Sequence, residues 1–446
     1  SENSKGAAWS DSQLRNSMSA SILWPKSVTS TGSTIEDPNV VGRNVFLKAS
    51  GDIGISKGQL DIALPLTNAL SEEQKLALAA AERRDVTFYD TTGNVMQPDD
   101  VGKTAAKISI NLTDDINVAA SGFLDIQAGN KANLGSEGVV AVNHITASGE
   151  VRVKSKAGIV DGRSDTSQVN ITGGDIILEG GTGGIGAGAN GASPMKPIEI
   201  ILNGTQALIA RASNDIYIVS RSDLRLAEVF SAGGVVDLRS RQSILDGYGD
   251  ASLLADKPNY KIKANSIYLQ ADAGIGTSTN FVETEVNVAI NALANGNVFI
   301  HEISPHAMHV ARVESQTGDV SLWAEASIQN TKNGALSMVP DIVATHITLR
   351  SEAGNIGATS GDLIVETRKL GGVQGTLTSY SGFNTYVTAT GDLYLNTVAT
   401  PAGTAFIGAP AGRILNGNAT PGGTNVISGK TRLFATGDIG ESGNQI

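Results

Sequence analysis

The sequence predicts an all-β protein, a parallel β-helix in which short coils stack into a solenoid, and three observations carry that expectation. A strand-and-corner motif recurs along the chain, Gly supplies 52 of 446 residues, and large aromatics are scarce, with 9 Phe, 8 Tyr and 3 Trp. Thin coils bury small branched side chains against their neighbours and need few aromatic anchors. Gly provides the positive-φ corners that such coils require.

Taken in order, residues 1–43 show no clear period, and the Ser, Thr and Gly of 27–33 read as an irregular lead-in. The coil array is expected over 44–446. Its first motif copy is Asn44-Val-Phe-Leu-Lys-Ala-Ser-Gly-Asp-Ile-Gly54, and a later one is Ser266-Ile-Tyr-Leu-Gln-Ala-Asp-Ala-Gly-Ile-Gly276. Each holds a β-rich triplet ending in Leu or Val, then Ala or Ser, then a turn that carries Ile close to Gly. Eight copies anchor on Leu47, Val153, Leu178, Leu238, Leu269, Leu322, Leu349 and Leu433. Six or seven residues later come Ile53, Ile159, Ile185, Ile244, Ile275, Ile328, Ile356 and Ile439. The anchor spacings are close to multiples of 25–31 residues, within the range of solenoid repeats.

In a triplet such as Ile267-Tyr-Leu269 the first and third side chains share one face, so both point inward. The turn Ile then folds back into the core, and all eight are expected to be buried along one edge. Shorter segments ending at Ile126, Ile218, Ile300, Val365 and Leu395 read as second strands of coils. An array of antiparallel β-sandwiches would also use short strands and Gly-rich turns, but would not repeat one turn motif at this interval. The last copy, Lys430 to Gly440, is complete and only six residues follow, so the chain is expected to be a piece of a longer array.

One segment, 65–106, interrupts the pattern and reads as a helical insertion. Within 71–84, Ser71 and Gln74 form a capping box, acidic residues open the segment, and Arg83 and Arg84 close it.

The absence of Cys excludes disulfides, thiolate metal sites and Cys nucleophiles. A net charge of −11 argues against a nucleic-acid partner, which needs a basic face. No apolar run reaches the roughly 20 residues that span a bilayer. Residues 1–20 contain no basic stretch followed by an apolar one.

The block Ile347-Thr-Leu-Arg-Ser-Glu-Ala-Gly-Asn-Ile-Gly357, with Gly361-Asp-Leu-Ile-Val365 after it, resembles the giant bacterial exoproteins. It is most similar to the filamentous haemagglutinin type, and within it to leukotoxin-like filamentous adhesins. The resemblance covers about three quarters of the chain, from Asn44 onward, and its motif signals a fold rather than a site. It implies a right-handed parallel β-helix shaft, export to the surface of a Gram-negative cell, and a role in adhesion. The partners it implies are a glycan or protein receptor on a host or neighbouring cell. Exposed strands at open coil ends add a third partner, the chain itself, end to end.

Candidate chemistry is sparse. The run Gly181-Thr-Gly-Gly-Ile-Gly186 fits a dinucleotide-binding spacing, but Ala187 to Pro194 cannot form the helix that such a site needs. His301, His306 and His309 are spaced to offer imidazoles to Zn or Cu, yet Pro305 breaks a shared helical face. Asp114 with Asp115, Asp161 with Asp165, and Asp246 with Asp250 could offer oxygens to Ca²⁺, but the Gly-Gly-x-Gly-x-Asp pattern of calcium β-rolls is absent. A polysaccharide-cleaving β-helix would need carboxylates paired across neighbouring coils. Asp237 and Asp319 are the candidates, and turn chemistry explains them equally well. The sequence thus predicts no catalytic, cofactor or metal residue, and a contact surface instead of an enzyme.

Overall fold

A computed structural model describes residues 40–63, 86–90, 105–114, 116–163, 168–186, 196–247, 260–332, 338–418 and 423–446. These residues are strands, turns and bends, with no helix among them. The chain divides into two compact units, residues 1–179 with 248–259, and residues 180–247 with 260–446.

In the first unit the chain returns repeatedly to lie parallel on its own earlier pass. One ladder stacks Val40–Gly42, Ile116–Ala120, Ala132–Ser136, Val151–Ser155 and Ile176–Glu179. Another stacks Val45–Ala49, Leu124–Ala128 and Val140–Thr146. Parallel rungs are therefore already present inside the expected lead-in, at Val40–Gly42. Anchors Val153 and Leu178 sit on adjacent rungs, as their spacing implies.

The second unit repeats this plan. Ile218, Leu238, Leu269, Ala292 and Val313 succeed one another in register, all inward and buried. A second ladder stacks Val298–Glu302, Val320–Ala324, Ile347–Ser351 and Leu377–Ser381. Each Ile or Leu so enclosed contributes about 1.5–3 kcal/mol, which makes the continuous inner column the main cohesive element.

The isoleucine expectation needs correction. Seven of the eight turn Ile side chains have no exposed surface, while Ile439 is 48 % exposed. They do not share one edge. Ile244 stacks on Ile275 and continues through Val298, whereas Ile328 stacks on Ile356 and continues to Thr385. Likewise Leu322 and Leu349 stack together, but on a different ladder from Leu238 and Leu269. The motif serves either face because each face demands the same thing, two inward residues followed by a tight corner.

Coil length also varies. Ile198 pairs directly with Ile218, and Ile300 with Leu322, so those coils close sooner than the one that carries Leu238 round to Leu269. The repeat interval expected from the motif belongs to the longer kind of coil.

Corner chemistry accounts for the rest of the motif. The Ala or Ser lies against the preceding turn, where only a small side chain fits: Ala324 is fully buried and Ser240 nearly so. The Ser315 hydroxyl donates to Gly296 O at 2.8 Å and accepts from Gly318 N–H at 2.8 Å, stitching two coils together. After the turn Ile, Gly276 and Gly357 adopt φ of 66° and 71°. A Cβ there would also fall 2.5 Å from Phe299 O and 2.1 Å from Tyr386 O, so Gly is needed for space as well as for φ.

The interruption differs from expectation. Residues 71–84, predicted as helix, lie outside the described residues. What is described is strand: Ile55–Ala63 and Val86–Asp90 flank Ala105–Asp114 in an antiparallel three-stranded sheet. Its pairing starts with Ile55 opposite Asp114, so the excursion leaves and rejoins the coils at adjacent points.

Candidate contact surface

Outward positions of the second ladder bring distant residues side by side. The inward residues Ile300, Leu322 and Leu349 fix the register, and their successors His301, Trp323 and Arg350 therefore stack in turn, followed by Tyr380. The His301 and Trp323 rings lie 4.0 Å apart at 13°, and the Arg350 guanidinium sits 4.7 Å from the Trp323 ring. Phe281 meets Phe299 and Trp323 edge-on at 5.4 Å and 6.2 Å. The His301 ring is held to Glu325 at 2.9 Å, and Arg350 pairs with Glu352.

This ladder ends in open rings. Tyr380 is 45 % exposed, and its neighbour on the next coil is only Ala399. Phe383, at the following corner, is 57 % exposed. Its N–H donates to Gly354 O on one side, and its carbonyl crowds Gly403 on the other, so neither flanking position carries a side chain. Trp323, clasped between an imidazole and a guanidinium, is chiefly a structural rivet. Tyr380 and Phe383 offer what a ligand could cover.

Apart from His301, the residues singled out in the sequence fall elsewhere. His306 is exposed and His309 lies beside Gln329, so the three His do not converge. Among the described residues no group of three His, Cys, Asp or Glu is placed to hold a metal. The glycine run 181–186 is a coil corner: Gly183 N–H donates to Gly180 O, the Asn214 amide donates to Thr182 O, and Ile185 is buried against Ile216. Residues 187–195 after it lie outside the described residues.

Asp319 ties coils together, with its N–H bound to Asn297 Oδ1 at 2.8 Å and its Oδ1 accepting His346 N–H at 3.0 Å. Asp237 pairs with Arg239 at 2.9 Å. Burial pulls Asp161 upward, but hydrogen bonds from Arg163 and Asn170 outweigh it and hold the carboxyl below its usual range. Asp246 contacts Lys261, and Asp114 ends the antiparallel strand opposite Ile55. Asp115, Asp165 and Asp250 lie outside the described residues.

Two features escaped sequence reasoning. The stacked ladder joins residues from separate coils, and aligning the residue after each inward anchor would have revealed it. The other is Glu302, fully buried, which accepts the Thr284 hydroxyl at 2.8 Å and the N–H groups of Val286 and Ser304 at 3.1 Å and 3.3 Å. Desolvation pushes it up to about 7 against those hydrogen bonds. The chain matches no family model, no curated protein and no solved structure.

Proposed function

We propose that the chain is a non-catalytic segment of a large exported filamentous adhesin, a right-handed parallel β-helix that acts as shaft and contact surface. Its partner is a glycan or protein on a host or neighbouring cell. The observation that carries this reading is the outward ladder ending in Tyr380 and Phe383. Scattered exposed apolar residues are ordinary, but aromatic and Arg side chains aligned by register form the kind of patch that dominates binding energy. Aromatic rings next to small neighbours suit the apolar faces of sugars, and Arg350 and Glu352 lie beside them for hydroxyl groups.

The test is binding of the full chain to a glycan array and to whole cells, beside a Tyr380→Ala/Phe383→Ala variant. Retained binding within a factor of two in the variant removes the ladder from the function. A loss of tenfold or more, about 1.4 kcal/mol, is expected. A polysaccharide-degradation assay on the same samples addresses the alternative of a carbohydrate-active enzyme.

A second reading is a self-associating extracellular fibre, and it draws on a different observation: Ile427 and Phe434 are exposed side chains on the strand Val426–Ala435.

A further inference from the structure

We propose that Lys261 and Asp246 become joined by an intramolecular isopeptide bond, with Glu283 moving the proton. Lys261 Nζ lies 3.5 Å from Asp246 Oδ1 and 3.4 Å from Glu283 Oε2, and the three side chains are 10 %, 0 % and 9 % exposed. Coil register builds this trio. Asp246 closes the strand Ile244–Asp246 on the rung beside Leu226, while Lys261 N–H donates to Glu283 O at 2.9 Å from the neighbouring coil. Fully buried Leu226, Ile262 and Val282 adjoin the three residues along the ladders and the chain.

As ions, the three place one ammonium between two carboxylates in a largely buried site, an arrangement that is expensive to desolvate. Amide formation removes the Lys261 and Asp246 charges together and leaves a single acid, which can hold a proton and stay neutral. A desolvated Lys amine is a competent nucleophile, and Nζ already lies against the Asp246 carboxyl group it would attack.

The step balances without any cofactor. The ammonium passes one proton to the Asp246 carboxylate, and the neutral Nζ attacks Cγ. As the Nζ–Cγ bond forms, Glu283 takes a second proton from nitrogen and delivers it to the departing oxygen. The Cγ–O bond breaks and that oxygen leaves as water, carrying both protons. The product closes residues 247–260 into a covalent loop, in a chain with no Cys to form a disulfide. Lys332 and Asp341, 2.8 Å apart, form an internal contrast. Asp341 also accepts Ile364 N–H, and among the described residues no second carboxylate contacts Lys332, so that pair has no neighbouring acid to move the proton.

Intact-mass measurement of the full chain tests the proposal. The expected mass is one water below the sequence mass, with a branched tryptic peptide linking Asp246 to Lys261 and no cleavage after Lys261. Lys261→Arg and Glu283→Gln should each restore the full mass while far-UV circular dichroism stays unchanged. A folded wild-type chain at full sequence mass overturns the proposal. So does a water loss that survives in Lys261→Arg, which marks a succinimide at Asp246–Gly247. If the variants fail to fold, the wild-type peptide map alone decides.

Discussion

Glu302 places a carboxyl among inward-facing side chains, where it receives the Thr284 hydroxyl and the N–H groups of Val286 and Ser304. Desolvation outweighs those donors, so the acid titrates at about 7 in the fold against 4.5 ordinarily. Between those two values the folded chain holds a proton that the unfolded chain has released. Its contribution is therefore complete below 4.5 and lost as pH rises toward 7, on the order of 3 kcal/mol in all. Glu302→Gln keeps an acceptor for the two N–H groups and abolishes the ionisation. Its melting temperature should match the wild type near pH 4.5 and exceed it at pH 8. Parallel melting profiles for the two proteins across that range would rule the assignment out. Because His301 and Glu325 remain in the variant, any pH dependence of theirs stays in both curves and cancels from the difference.

At the scale of elements, the antiparallel sheet of the interruption is the most separable part. Ile55 and Asp114 are register partners, so their Cα atoms lie about 5 Å apart. A short turn can join Gly54 to Ile116 without disturbing Ile53 on Ala132 or Leu47 on Ile126. Replacing residues 55–115 by a Gly-Ser turn should leave a cooperative β-sheet melting transition in place. Its loss would show the sheet to be a structural cover. What the sequence made legible here follows from local rules. Alternation in Val151-Arg-Val153 and the Gly after Ile275 declare strand and corner within a dozen residues. Which ladder a copy joins is settled by coil length, and the motif does not encode that. Alternating Ile108, Ile110 and Leu112 mark Ala105–Asp114 as a strand, but nothing in that alternation tells an antiparallel strand of a side sheet from one more coil rung. The aromatic ladder stayed hidden for the first reason, since His301, Trp323, Arg350 and Tyr380 become neighbours only once register is known.

For the molecule as a whole, the repeated parallel rung makes stability a sum over neighbouring coils and makes any unpaired rung a place for association. Val426–Ala435 is hydrogen-bonded to Leu393–Ala409, and among the described residues no strand covers its other edge. Its inner row is correspondingly open, with Ile439 48 % exposed where the other seven turn isoleucines are fully enclosed. Ile427 and Phe434 are 46 % and 53 % exposed along the same rung. An edge that combines free backbone groups with apolar side chains invites another strand, and charged residues on such an edge discourage it. Residues 1–446, taken on their own, should therefore associate in a concentration-dependent way through that edge. Ile427→Lys together with Phe434→Lys should weaken the association at least tenfold, about 1.4 kcal/mol, with the melting transition of the remaining coils little changed. Sedimentation velocity over a dilution series checks both statements. A wild-type chain that stays monomeric at its highest soluble concentration defeats the idea, and equal association by the double variant would move the contact to another surface.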